Sequence, residues 1–165
     1  MQVFPFEIDY YITKEGKKPF GEWPENLKDV TARAKIRVRL DRVRLGNLGD
    51  NRSVGEGVRE LRMAKLTSYQ KDLIKSLKDP CEAVAYLNAA IEEGDRAVFL
   101  LALRNVAEAN GGMAAVAGKA KLSRESLYRM LSKKGNPEIK SLITLLHTMG
   151  LRMSVEAEPH VCAAA

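Results

Sequence analysis

The sequence predicts a mainly α-helical protein with a small β-sheet, an α+β class, and three observations carry this. Residues 3–12 (VFPFEIDYYI) are dense in aromatic and β-branched side chains, which suit a pleated strand. Residues 58–63 (VRELRM) alternate apolar and charged side chains with the period of a half-buried strand. From residue 67 to the glycine at 150, apolar positions recur at the spacing of amphipathic helices. With 165 residues, 45% of them hydrophobic, the chain can build one ordinary core or two small ones.

Taken in order, the first strand closes at the turn formers Lys14, Glu15, Gly16 and Lys17, and residues 19–27 read as a short helix entered through Pro19. Residues 31–45 (TARAKIRVRLDRVRL) fit both periods: Ala34, Ile36, Val38 and Leu40 alternate, while Ala32, Ile36, Leu40 and Val43 recur helically. Length and the C-terminal Gly46 favour a helix. Its six bases, Arg33, Lys35, Arg37, Arg39, Arg42 and Arg44, read as a solvated face, the alternative being contact with nucleic acid or a carboxylate-rich partner. Glycine-rich residues 46–57 form a loop before the second strand, which reaches about residue 66.

Beyond a linker-like stretch at 67–79, residues 80–93 form a helix with Val84, Leu87 and Ile91 on one face, stopped by Gly94. Asp95 caps a helix running to about Asn110, with Phe99, Leu103 and Val106 on one side, and Gly111 and Gly112 end it. The last helix has Asn136 as its cap, Pro137 at its first position and Gly150 just past its end; Ile139, Leu142, Ile143, Leu146 and Met149 face inward. Residues 151–158 (LRMSVEAE) suit a terminal strand, able to pair with the exposed edge of the small sheet within the chain or across a dimer.

The 27 Lys and Arg against 21 Asp and Glu give a net charge of +6, a bias toward a polyanionic partner. Cys81 and Cys162 have no spacing that suits a disulfide framework or a zinc site, and His147 and His160 add no ligand cluster, so no metal and no cofactor are expected. Trp23, Phe4, Phe6, Tyr10 and Tyr11 read as core. With no signal-peptide pattern and no membrane-spanning run, the expectation is a soluble cytoplasmic protein with no membrane partner.

Residues 113–132 (MAAVAGKAKLSRESLYRMLS) have the arrangement of a helix-turn-helix. Small Ala117 permits close approach, Val116 and Ala120 bury one side of the first helix, Leu122 plugs the turn, and Leu127, Met130 and Leu131 anchor the second. Ser123 is placed to cap that second helix. Helical geometry then leaves Arg124, Glu125, Tyr128 and Arg129 outward, in the part of a recognition helix that enters the major groove. Ser123 and Ser126 suit phosphate or base edges, and Lys133 and Lys134 suit phosphates. Lys121 stands where the turn commonly has glycine, so the geometry implies a strained positive φ there.

Three further stretches carry a family resemblance. SRESLYRMLSKKGNP with the following helix and LRMSV, together with DPCEAVAYLNAAIEEGDRAVFLLALRNVAEANGGM upstream, resembles the helix-turn-helix antidote (antitoxin) proteins of addiction modules over about 63–158. The resemblance implies an antitoxin that neutralises a toxin and, usually as a homodimer, represses its own operon. KKPFGEWPENLKDVTARAKIRVRLDRVRLGNLGDNRSVGEGVRELRM is similar to a different family, the RelE/ParE-like toxins, and stops where such toxins continue into further strands. This implies a β-α-α-β toxin remnant at 1–62 fused to an antitoxin at 63–158, with a tail at 159–165. Without the missing strands no catalytic constellation surrounds Arg59 and Arg62, so the expectation is no enzyme. The leading expectation is a sequence-specific regulator binding double-stranded operator DNA. The alternative is an interaction module that binds a RelE/ParE-like toxin, with DNA binding secondary or lost.

Overall fold

A computed structural model of the chain describes residues 5–6, 8–47 and 68–156. Among the described residues there are eight α-helices and no β-strand, which corrects the expected α+β class to an all-helical one. Of the first expected strand, residues 5–6 and 8–12 are described: Ile8 drops into the core, while Tyr11 and Ile12 face solvent. Aromatic and β-branched residues suit a pleated surface only where another strand pairs with them, and no described strand lies beside this one. The partner expected at 58–66 lies outside the described residues. Residues 151–156 of the expected terminal strand likewise pair with no strand among the described residues, and 157–158 are outside the description.

Helix α1 (Pro19–Glu25) follows a turn in which the Gly16 N–H bonds the Thr13 carbonyl at 2.9 Å. Helix α2 (Val30–Arg44) settles the two-period segment as helix, because Asp29 accepts bonds from the Thr31 and Ala32 amides at 2.8 and 3.2 Å. Residues 67–79, linker-like in composition, contain helix α3 (Ser68–Ser76), and Tyr69, Leu73 and Leu77 are buried at four-residue spacing. Helix α4 (Pro80–Glu92) starts with Asp79 accepting from the Cys81 amide, and helix α5 (Arg96–Ala109) with Asp95 accepting from Ala97 and Val98. α5 is buried on most sides, with Val98, Leu100, Leu101, Ala102, Leu103, Val106 and Ala107 all in the core. α2, α3 and α4 pack around it.

The helix at 80–93 is present, but its inward face is not the one expected. Val84 and Ile91 are exposed, while Ala83, Tyr86, Leu87 and Ala90 are buried. The phase is set by α2, which packs along α4 and draws the Glu82 and Tyr86 side inward. The bases of α2 are likewise not simply a solvated face. Arg33 and Arg37 both bond the Glu82 carboxylate, and Arg42 bonds Glu93; Lys35 approaches Glu92 at 3.4 Å on the surface. Behind them the fully buried Asp41 accepts from the Tyr86 hydroxyl and from Arg44 at 3.1 Å. Asn105 donates to Tyr86 at 2.8 Å and accepts from Gln70 at 3.1 Å, so α2, α3, α4 and α5 share one polar network. Burial pushes the Asp41 carboxyl above its usual range, opposed by the Arg44 charge and the hydrogen bonds.

The expected aromatic core is also corrected. Trp23 is 52% exposed and Tyr11 74%. Trp23 stands 6.0 Å from Phe20, Phe20 6.5 Å from Tyr10, and Tyr10 6.3 Å from buried Tyr69, ring centre to ring centre. The rings run from surface to interior because only Tyr69 sits on a helix packed against α5. Phe4 lies outside the described residues.

Candidate nucleic-acid interface

Two short helices face solvent beyond α5: α6 (Met113–Lys119) and α7 (Arg124–Met130). α6 begins after Gly111 and Gly112, whose φ values of 103° and 91° turn the chain out of α5 in a way glycine tolerates. Val116 and Ala117 are buried, as are Leu127 and Leu131 opposite them, and Leu122 and Met130 pack at the margin. The turn between the helices is a Schellman closure: the Leu122 amide reaches back to the Ala117 carbonyl at 3.0 Å and the Lys121 amide to Gly118 at 3.2 Å. Lys121 accordingly has φ 54°, the only positive value of a non-glycine residue among those described. The strain inferred from the sequence is present there.

Ser123 caps α7: its Oγ accepts from the Ser126 amide at 3.0 Å and donates to the Ser126 Oγ at 2.8 Å. Both serines are thereby tied to holding the helix start. Arg124, Glu125 and Arg129 are exposed, and Tyr128 is half-buried. Two guanidiniums approach the Tyr128 ring, Arg124 at 5.6 Å and Arg104 at 5.3 Å from its centre. Arg104 belongs to α5, and sequence reading did not associate it with this face. Its helical phase does not point to α7; only the packing of α5 against the pair brings it there.

Lys134 is exposed at the far end of the pair, whereas Lys133 donates to the Leu45 carbonyl at 3.1 Å and so ties this end to the C-terminus of α2. Gly135 permits the tight exit from α7. A Cβ there would stand 2.9 Å from the Ser132 carbonyl oxygen and closer still to Met130 backbone. The last helix, α8 (Ile139–Thr148), starts two residues later than Asn136 and Pro137 foretold, with Glu138 in the cap position and no side-chain cap bond. Its buried residues are Leu145, Leu146 and Met149, with Leu142 partly buried, while Ile139 and Ile143 are exposed. Between α7 and the start of α8 lies an open groove of about 600 Å³, lined by Ser126, Arg129, Lys134, Asn136 and Ser141 among others.

The arrangement is therefore a convex helix bearing two arginines, a glutamate and a tyrosine, flanked by a third arginine, a lysine and a polar groove. It supplies donors and positive charge with no group of metal-ligating side chains among the described residues. Comparison with known protein families gives a match over residues 67–157 to a family described as probable addiction module antidote protein. The chain belongs to that family. Two relatives, each an uncharacterized protein of Haemophilus influenzae, are similar to it: one is 41% identical over 51 residues and the other 32% identical over 85. The aligned part spans about half of the first relative, 52%, and 87% of the second; these are 31% and 52% of the present chain. No solved structure gives a significant match. Among the described residues no helix is long and apolar enough to cross a membrane.

Proposed function

We propose that this antidote-family chain is a sequence-specific DNA-binding regulator that, as a homodimer, represses its own toxin–antitoxin operon. The observation that carries the reading is the outward face of α7: Arg124 and Arg129 exposed beside Tyr128, on a helix that a serine cap and a buried apolar seam hold rigid. In this reading α6 and α7 are the two helices of a helix-turn-helix, and α7 enters the major groove, where arginine forms paired bonds to guanine. Lys134 contacts phosphate. Lys133 already serves the Leu45 carbonyl, so it contributes less. Residues 1–62 are read as a truncated RelE/ParE-like toxin remnant that now packs against its antitoxin. Gel-shift titration against the chain's own promoter is the test: affinity no higher than for random DNA at moderate salt would refute the reading.

A second reading has its own support. The antidote family implies a toxin as partner, and α4 presents Glu82, Glu92 and Glu93 to a basic helix, here α2 of the same chain. Because α2 already occupies this acidic face, a basic helix of a separate RelE/ParE-like toxin would have to displace it. A variant with Arg124 and Arg129 both changed to Ala that still captures such a toxin, while losing operator DNA, would show the two activities to be separate.

A further inference from the structure

After α8 the chain leaves through Gly150 (φ 76°), and residues 151–156 run on without helix, turn or bend. The Leu151 amide bonds the Leu146 carbonyl at 2.9 Å, and beyond it no backbone group of 152–156 is bonded to another described residue. Were this segment paired as a strand, side chains would alternate, with Leu151, Met153 and Val155 on one side and Arg152, Ser154 and Glu156 on the other. Leu151 packs on the core, but Met153 is 47% and Val155 97% exposed. Leu151, Arg152, Met153 and Ser154 all border a groove whose other walls include Leu87, Ile91, Phe99 and Leu146, with Val84 and Ile91 exposed at its rim.

We infer that residues 151–156 pair with the same residues of a second copy of this chain, as an antiparallel two-stranded ribbon across a twofold axis at Ser154. The charge pattern selects this occupant. A twofold at Ser154 sets Arg152 opposite Glu156 of the other copy, twice by symmetry, and Met153 opposite Val155. Among the described residues neither Arg152 nor Glu156 has an ion-pair partner within the chain. Unpaired backbone donors and acceptors thereby acquire partners. The inference rests on the homodimer in the proposed function and specifies its interface. It does not depend on DNA recognition.

Sedimentation equilibrium of the full chain tests it. The unaltered protein should dimerise at micromolar concentration, and Val155→Pro, which removes a ladder N–H at a fully exposed position, should weaken the dimer at least about tenfold. Arg152→Glu and Glu156→Arg each place like charges opposite one another and should weaken it about three- to tenfold, while the double exchange should restore it. That restoration is not expected of a residue acting on folding alone. A dimer unaffected by all these changes overturns the interface but leaves the homodimer; a chain monomeric with and without operator DNA overturns both.

Discussion

Between α2 and α4 the chain buries charge, whereas between α6 and α7 it buries alanine, valine and leucine. At the first seam two arginines converge on Glu82, whose side chain is 12% exposed, with a fully buried Asp41 behind them. At the second, Val116, Ala117, Leu127 and Leu131 meet with little polar area, and the polar groups are left outside. The first kind of seam is specific but fragile, because each charge depends on partners far away in the sequence. The second tolerates changes on its outer face, so arginines there are free to serve a partner. The DNA-reading surface proposed above would thus lie where stability asks least of the exposed residues.

The comparison breaks most readily at Glu82. Glu82→Gln leaves Arg33 and Arg37 against a neutral amide and should cost about 3 to 5 kcal/mol in urea unfolding, with operator affinity of the folded protein unchanged. Burial pushes the Glu82 carboxyl up, but the bonds and charges of Arg33 and Arg37 outweigh it and hold it below its ordinary value of 4.5. The unfolded chain therefore binds the proton more readily, so this stabilisation is complete above pH 4.5 and is lost as pH falls through the lower folded value. Stability measured stepwise across that acid window should fall less steeply in Glu82→Gln; an equal slope would count against the pairing.

At the other seam the expected effects are smaller. Gly135→Ala should lower stability by about 1 to 3 kcal/mol in thermal or urea unfolding, since a Cβ collides with backbone that cannot swing away. Arg124→Ala and Arg129→Ala should leave unfolding unchanged and each cost about 1 to 3 kcal/mol of operator binding, with relaxed sequence preference in competition gel shifts. Smallest, and opposite in sign, Lys121→Gly should raise stability by about 1 kcal/mol by relieving the positive φ. A loss of stability there would mean that the Lys121 side chain contributes more than its backbone strain costs.

What the sequence determined by itself was mostly local. Asp95 and Ser123 cap the helices they precede, and Gly94 and Gly150 stand just past helix ends, because caps and positive φ values involve residues only a few positions apart. The inward residues of α6 and α7 and the strained Lys121 were legible for the same reason. Tertiary structure decided the rest. It turned the basic side of α2 onto Glu82 and Glu93, rotated α4 so that Val84 and Ile91 face out, and set Arg104 against Tyr128. Among the described residues it also gave 8–12 and 151–156 none of the strand partners that their composition favours. Helix periodicity records that a face is apolar, but the choice between solvent and a distant carboxylate for a charged face is made only when two helices meet.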